Sequence, residues 1–196
     1  MYKRQGDFPS SSLAKEWLRE CPYVVCCDGA ANTYIRSGRM PEAIVGDGDS
    51  LLPDIKERYA SLIHSEAEQE TNDLSKAFRF CLSQERKRIT IMGATGKRED
   101  HTIGNVSLLA DYMEQAEVSM MTDYGIFVPI REDSMFESYI GQQISVFNMN
   151  STALSAEGLA YPLSVFTNWW QGTLNEALAR HFIIRTEGKV LVFRVF

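Results

Sequence analysis

The chain has 196 residues, of which 44% are hydrophobic and 23% are charged. This balance is typical of a globular protein with one large domain or two small ones. The formal net charge is -6 and the basic residues are scattered, which disfavours a protein that binds nucleic acid by neutralising phosphates. No apolar run reaches the roughly 18 residues of a membrane span, and the first residues lack the apolar segment of a secretion signal. We therefore expect a cytoplasmic protein with no membrane or nucleic-acid partner.

The first half of the chain alternates short apolar runs with helical patterns. Ser12 can cap a first helix, and the run from Tyr23 to Cys27 has the composition of a buried parallel strand. Further strands are predicted at 43–45, 62–63, 88–92 and 118–122, and helices over 30–37, after residue 53, from residue 73 and from residue 102. This alternation predicts an α/β domain with a Rossmann-like parallel sheet over residues 1–123.

Beyond Asp123 the pattern changes to β-rich segments separated by turn residues. Strands are predicted over 125–130, 134–140, 143–149, 159–163, 179–185 and 189–196. Closely spaced strands of this kind are typical of a small sandwich or barrel. We predict a small all-β domain, a β-sandwich, over residues 124–196.

Five aspartates lie where a predicted strand has just ended or the next helix is about to begin. They are Asp28, Asp47, Asp49, Asp73 and Asp100. In doubly wound sheets this edge is where ligands bind. Carboxylates gathered there repel one another unless a cation neutralises them, and Mg²⁺ binds one or two such oxygens together with water and phosphate oxygens. A metal-bound nucleotide is the simplest explanation, and acidic turns with capping side chains are the alternative.

Two glycine-containing motifs carry most of this chemistry. In GDGDS, Asp47 and Asp49 are spaced i, i+2, so an extended backbone would direct both to one side. In GATGKREDH, the glycines leave backbone N–H groups open to an anion, and Lys97 and Arg98 add positive charge. The spacing GxxGKR excludes a Walker A loop. A charged turn with a helix cap is the alternative reading of Arg98 and Asp100.

Aromatic residues in the second half lie close to small polar ones. Trp169 and Trp170 precede the segment GTLN, which contains Thr173 and Asn175. Flat apolar surface beside polar groups suits an aromatic heterocycle. Packing in the core of the β domain is the alternative role for at least one tryptophan.

The succession CDGAAN, VGDGDS, EQETNDLSKA, GATGKREDH, GLAYPL and GTLNEA resembles the thiamine pyrophosphokinase family, and GDFP near the amino terminus fits as well. The resemblance spans nearly the whole chain in the same order. It implies an α/β domain joined to a β-sandwich, and a homodimer with active sites at the subunit interface. It also implies transfer of the diphosphate group of ATP to the hydroxyl of thiamine, with thiamine diphosphate and AMP as products.

The resemblance assigns roles to residues by their motif positions. Catalytic roles are implied for Asp47, Asp49, Asp73, Arg98 and Asp100, of which the first three would hold Mg²⁺. ATP would contact Asp28, Asn32, Gln69, Arg98, Asp100 and His101. Thiamine would contact Gln69, Trp170, Thr173 and Asn175.

Three features depart from the family pattern. Asn72 stands where the family commonly has threonine, and Leu174 replaces the serine of a serine–asparagine pair. The family usually begins with an apolar strand, whereas Tyr2 to Gln5 are mostly polar, so we expect that strand to be absent or poorly formed.

The expected mechanism is an in-line attack by the thiamine hydroxyl on the β-phosphorus of ATP, with Mg²⁺ and Arg98 offsetting the growing phosphate charge. Asp73 and Asp100 are the candidate proton acceptors. Three alternatives stay open: a binding protein for thiamine or nucleotide without catalysis, a related phosphotransferase that uses another alcohol and releases ADP, and a structural or partner-binding protein whose acidic turns are merely solvated.

Overall fold

The structure is a computed structural model that describes the backbone of residues 2–3 and, in full, residues 6–66 and 70–196. The chain divides into two compact units. The first contains residues 1–108 and 115–123, and the second contains residues 109–114 and 124–196. None of the helices in the described part of the chain has the length and hydropathy needed to cross a membrane.

The first unit is an α/β domain built on a parallel sheet. Its strands are β1 (Tyr2–Lys3), β2 (Val25–Cys27), β3 (Ala43–Gly46), β4 (Ile63–Ser65), β5 (Arg88–Met92) and β6 (Glu117–Met121). Its α-helices are α1 (Ser12–Glu20), α2 (Ala30–Arg36), α3 (Pro53–Arg58), α4 (Asp73–Ser83) and α5 (Glu99–Ser107), and residues Ala60–Leu62 form a 3-10 turn. The strand order is β6-β5-β1-β2-β3-β4, with parallel pairing throughout. The predicted parallel sheet is confirmed.

Burial explains why these segments form inner strands. Every residue of β2 and β3 is buried, as expected for parallel strands with both faces covered. Leu18, Tyr34 and Ile55 of the first three helices join Cys26 and Ile44 in one hydrophobic core. Helix α4 also packs against β2 and β3.

The order of the strands reverses beside β1, because β2 to β4 lie on one side of it and β5 on the other. The loops after β1 and β5 are joined there. The N–H of Gly6 donates to the Gly93 carbonyl at 3.0 Å, and the N–H of Asp7 donates to the Thr95 carbonyl at 2.8 Å. A Cβ at Gly6 would collide with the Thr95 backbone, so this approach requires glycine. Strand β1 is present but only two residues long.

Two helix starts differ from the predictions. Helix α1 is capped by Ser11, whose Oγ accepts from the N–H of Ala14 at 3.1 Å, and not by Ser12. Helix α5 begins at Glu99, three residues before the predicted start near Thr102. Ile103 of this helix is 56% exposed.

The second unit is a β-sandwich. Its elements are α6 (Leu109–Tyr112), β7 (Gly125–Ile130), β8 (Ser134–Glu137), β9 (Gln143–Asn148), β10 (Leu154–Glu157), a 3-10 turn (Trp169–Gly172), β11 (Asn175–Glu176), β12 (His181–Thr186) and β13 (Val190–Val195). One antiparallel sheet has the order β11-β9-β13-β7, and the other has the order β10-β12-β8. The predicted sandwich is confirmed.

The core of the second unit lies between its two sheets. Ile144 and Val192 from the first sheet cluster with Phe136, Phe182 and Ile184 from the second. The rings of Phe136 and Phe182 stack with centroids 5.1 Å apart. Alternate residues of each strand supply this layer, which is the usual arrangement of a sandwich.

The predicted strand over 159–163 is wrong. Only Leu159 pairs there, through an isolated bridge to Ala177. A strand that the sequence pattern missed, β10, lies just before it and pairs with β12. The N–H of Ala160 also donates to the Glu176 carbonyl of β11 at 2.8 Å, but this pairing is too short to form a strand.

Two glycine substitutions test the packing of this fold. In Gly172→Ala the new Cβ would collide with the backbone carbonyl of Val146, so we expect a loss of roughly 1–3 kcal/mol of unfolding free energy. Gly104, inside α5, has no neighbouring atom within 4 Å of a Cβ, and Gly104→Ala should gain about 0.5–1 kcal/mol through helix propensity. Urea unfolding of both variants measures this. Equal stabilities would contradict the packing described for Gly172.

Candidate functional site

Asp28 occupies the turn that ends β2. Its backbone has φ +38°, in the left-handed region, and its N–H donates to the Val45 carbonyl of β3 at 2.8 Å. A Cβ on the adjacent Gly46 would lie 2.8 Å from the Cβ of Asp28, so glycine at 46 allows the two strand ends to meet. Asp28 is therefore buried at the carboxyl edge of the sheet, with 5% of its surface exposed.

The GDGDS loop follows β3 and folds onto Asp28. The N–H of Ser50 donates to Oδ2 of Asp28 at 3.2 Å, and the N–H of Asp49 donates to Oδ1 of Asp47 at 3.1 Å. Asp47 and Asp49 are both exposed. Beside them lies a cleft of about 470 Å³, lined in part by Gly48, Asp49 and Lys56. The structure thus brings three of the predicted acidic residues into one loop region.

Asn32 fixes the far end of this loop. Its Nδ2 donates to the Ser50 carbonyl at 2.8 Å, and its Oδ1 accepts from the N–H of Leu52 at 3.0 Å. The side chain is buried on α2 and uses both ends of its amide on the backbone. Asn32 therefore positions the loop, which is a more definite role than the ATP contact expected from the sequence.

Asp73 is the first residue of α4 and is half-buried. The preceding Asn72 caps the helix, with its Oδ1 accepting from the N–H of Ser75 at 2.9 Å. Helix α4 packs against β2 and β3, whose carboxyl ends carry Asp28 and Asp47. A carboxylate in the first turn is also favoured by the helix dipole.

Arg98 and Asp100 form a bidentate ion pair at the start of α5. Nε of Arg98 donates to Oδ1 of Asp100 at 3.1 Å, and an Nη donates to Oδ2 at 2.6 Å. The hydrogen bonds from Arg98 lower the pKa of Asp100, and those same bonds raise the pKa of Arg98. Within the described residues, this pair makes no hydrogen bond to the GDGDS loop. His101 follows in the same helical turn and is half-buried.

The predicted thiamine residues of the second unit surround its 3-10 turn. Trp170 is 73% exposed, and the Thr173 hydroxyl donates to the Trp170 carbonyl at 2.7 Å. Asn175 is buried, and its amide both donates to the Tyr161 carbonyl and accepts from the Tyr161 N–H, at 2.8 and 3.0 Å. Trp169 packs edge-on against Phe147 but is 43% exposed, so it is not part of the core of the β unit. Gln69 lies outside the described residues.

The acidic residues fit a hard divalent cation. Oδ1 of Asp28 is buried and has no hydrogen-bond partner among the described residues, which is costly for a carboxylate unless a cation or donor reaches it. No group of three His, Cys, Asp or Glu side chains that could hold a metal is preformed in the described part of the chain. Mg²⁺ is commonly held by only one or two carboxylates plus substrate phosphates, so Asp28, Asp47 and Asp49 have suitable chemistry.

Sequence reasoning missed two features of this edge. Asp7 lies in the loop after β1, and its Oδ1 is 4.0 Å from Nζ of Lys97. A Cβ at Gly96 would lie 3.0 Å from Oδ2 of Asp7, so the carboxylate packs closely against this glycine. Lys76 of α4 is buried, with 3% of its surface exposed. The GDFP motif could have pointed to Asp7, whereas a lysine within a helical pattern gives no sign that it is buried.

Two family models match the chain. One, described as thiamin pyrophosphokinase, catalytic domain, matches residues 14–121, and the other, described as thiamin pyrophosphokinase, substrate-binding domain, matches residues 125–193. A thiamine pyrophosphokinase 1 from Oryza sativa subsp. japonica is 30% identical over 129 residues, which cover 53% of this chain and 49% of that protein. A thiamine pyrophosphokinase from Bacillus subtilis is 34% identical over 86 residues, or 42% of this chain and 40% of that protein. The chain spans about half the length of the curated relatives it matches.

Solved structures resemble the whole chain. A structure of thiamine pyrophosphokinase from Bacillus subtilis has a TM-score of 0.83 at 20% identity and covers 99% of this chain and 97% of its own. One of thiamin pyrophosphokinase from Candida albicans has a TM-score of 0.80 at 19% identity, covering 100% of this chain and 88% of its own. At these identities the likeness establishes a common fold.

Asp28→Asn tests whether the buried carboxylate is costly in the free protein. Asparagine keeps an oxygen for the Ser50 N–H and tolerates the left-handed backbone, while the buried charge is removed. We expect the ligand-free variant to gain about 1 kcal/mol of unfolding free energy. Thermal unfolding without added metal measures this. A lower melting temperature than that of the wild type would contradict the interpretation.

Arg98→Gln tests the ion pair at the start of α5. Because Arg98 lowers the pKa of Asp100, the stabilisation from this pair is present above the ordinary aspartate pKa and is lost as the pH falls through the lowered value. In the variant the pKa of Asp100 should rise, as measured by NMR titration of its carboxyl carbon. The pKa of Glu114, which is lowered mainly by Lys189, is the control and should not move.

Proposed function

The chain belongs to the thiamin pyrophosphokinase family, and from that premise we propose that it transfers the diphosphate group of ATP to the hydroxyl of thiamine, giving thiamine diphosphate and AMP. The observation that carries the proposal is the joining of Asp28, Asp47 and Asp49 at the carboxyl ends of β2 and β3. Polyphosphate bound with a divalent cation is the ligand that such an edge accommodates. The α/β unit would accordingly bind ATP.

The proposed divalent cation is Mg²⁺, held by Asp47, Asp49 and Asp73. When bound, it would neutralise charge on the phosphate oxygens. Asp28 supports this assignment, because its buried Oδ1 has no partner among the described residues. Asn32 would act indirectly by holding the loop from residue 50 to residue 52.

Arg98 would bind phosphate oxygens of ATP. Two of its five N–H donors are engaged by Asp100, which fixes the plane of the guanidinium and leaves donors for a ligand. Asp100 is a weak proton acceptor because Arg98 lowers its pKa. We therefore assign Asp100 to orienting Arg98, and Asp73 is the remaining candidate to accept the proton of the thiamine hydroxyl. His101 would support the ATP site from the same turn.

The two parts of the chain would bind different substrates. Residues 1–123 would form the catalytic domain that binds ATP, and residues 124–196 the domain that binds thiamine. The exposed ring of Trp170 can stack on the thiamine heterocycles, with Thr173 beside it. Asn175 would contribute to this site by positioning the Tyr161 backbone through two hydrogen bonds. Gln69 completes the proposed set.

A homodimer in the cytoplasm is part of the proposal. Large apolar side chains are exposed on the second unit, including Tyr161 at 64%, Leu174 at 77% and Leu178 at 55%. Such side chains are suited to burial against a second subunit. The four cysteines, all of which lie among the described residues, form no disulfide, which fits a reducing compartment.

A product assay tests the function. Purified protein with ATP, thiamine and Mg²⁺ should form thiamine diphosphate and AMP in equal amounts, resolved by chromatography. Asp47→Asn and Asp49→Asn should each reduce turnover by about 100-fold or more, because each removes charge that holds the cation. Both variants should keep the wild-type melting temperature, since both side chains are exposed.

Other outcomes would identify the alternatives. Release of ADP would identify a different phosphotransferase, and binding of thiamine without AMP formation would identify a protein that only binds its ligands. Near-normal turnover in a folded Asp47→Asn variant would reject the metal role of that residue.

A further inference from the structure

Lys76 is the fourth residue of α4 and is one of the two charged residues that are buried in the described part of the chain. Only 3% of its surface is exposed, and the other buried charged residue, Asp28, is 5% exposed. Helix α4 packs against β2 and β3, so a buried side chain of this helix faces the same strands that lead to the acidic loop. A buried ammonium group is costly unless an anion or several acceptors surround it.

The hydrogen bond of Lys76 places its charge at the carboxyl edge of the sheet. Its Nζ donates to the Glu66 carbonyl at 3.3 Å. Glu66 immediately follows β4, and the parallel register pairs Ser65 with Gly46. Glu66 is therefore level with Asp47, the first aspartate of the GDGDS loop. The ammonium group of Lys76 lies at the strand ends that carry the proposed ATP site.

The described contacts leave much of this charge unsatisfied. An ammonium group has three N–H donors, and one of them is used by the Glu66 carbonyl at a long distance. Within the described residues, no carboxylate lies within 4.0 Å of Lys76. The neutral carbonyl is a poor counterpart for a desolvated cation. Among the described residues no anion neutralises this charge, and a bound ligand anion would do so.

We propose that Lys76 binds the polyphosphate of ATP and is a further substrate-binding residue of this site, an inference that rests on the proposed function. Asp73 lies three residues earlier on the same helix, so one helical turn would supply a cation ligand and a phosphate ligand side by side. Thiamine cannot be the partner of Lys76, because its thiazolium ring is itself positively charged. The β- and γ-phosphates of ATP have the density of negative charge that a buried ammonium group requires.

A purely structural role is the alternative, in which Lys76 only ties α4 to the end of β4. Substitution by glutamine separates the two roles. Glutamine keeps an N–H donor on a side chain one bond shorter than that of lysine, but it carries no charge. Methionine has a similar length and retains neither property. Arg79→Met is the matched control, because it removes a positive charge three residues further along α4 from an exposed side chain that pairs with Glu66.

The experiment measures binding of α,β-methylene ATP and of AMP by calorimetry in the presence of Mg²⁺. In this analogue a methylene group replaces the oxygen between the α- and β-phosphorus atoms. The bond that the proposed reaction breaks is therefore absent, and the analogue binds without being converted to products. We expect Lys76→Gln and Lys76→Met to weaken binding of the ATP analogue by about 10- to 100-fold, as for loss of a hydrogen bond to a charged group. AMP lacks the β- and γ-phosphates, so its binding should change by less than about threefold. Arg79→Met should bind both nucleotides like the wild type.

The outcomes separate this inference from the proposed function. If Lys76→Gln binds the analogue as tightly as the wild type, or loses analogue and AMP binding equally, Lys76 does not bind the polyphosphate. If Lys76→Met does not fold, Lys76→Gln alone decides. A selective loss of analogue binding in a protein that forms no AMP in the product assay would retain Lys76 as a phosphate ligand and reject the diphosphokinase activity. Lack of analogue binding to the wild type would overturn both.

Discussion

The close approach of Asp28 and Gly46 is the constraint on which the candidate site depends. The two strand ends meet where any side chain at 46 would place a Cβ 2.8 Å from that of Asp28. This contact lets the Asp28 N–H bind the Val45 carbonyl and lets its carboxylate bind the N–H of Ser50. The GDGDS loop is consequently folded back over the turn that follows β2. The acidic loop has its shape because the carboxylate of Asp28 and the amide of Asn32 both bind its backbone.

Burial distinguishes the charges at this edge from those elsewhere. Arg98 and Asp100 are exposed, so their ion pair exists in water and contributes little to stability. Asp28 and Lys76 are buried, and each keeps polar atoms that the described protein groups do not fully satisfy. Folding therefore carries a cost there that a cation and a polyphosphate would offset. A ligand that binds only the folded state stabilises it by an amount that grows with the logarithm of the ligand concentration divided by Kd, so the proposed site would link stability to substrate binding through these two residues.

The sequence predicted the strand ends well, because an apolar run followed by an aspartate or a glycine is a local signal. The same reasoning placed Asp28 and Asp47 at one edge without any knowledge of contacts. It failed where tertiary pairing decides. The segment around Leu159 is apolar but has only one bridging partner, while β10 is less apolar and forms a strand because β12 lies beside it. Lys76 was missed for a related reason, since only the packing of α4 on the sheet buries it.

The departures from the family pattern differ in their physical consequences. Asn72 accepts from the Ser75 N–H as an N-cap, which threonine at this position can also do. The start of α4, and with it the position of Asp73, is therefore preserved by a chemically different residue. Leu174 differs from Asn72 because its backbone is strained. It has φ +61°, a conformation that costs a non-glycine residue about 1 kcal/mol or more. Its side chain is also 77% exposed. The exposure of Leu174 is therefore one of the observations that support the proposed homodimer, because burial against a second subunit would remove this apolar side chain from water.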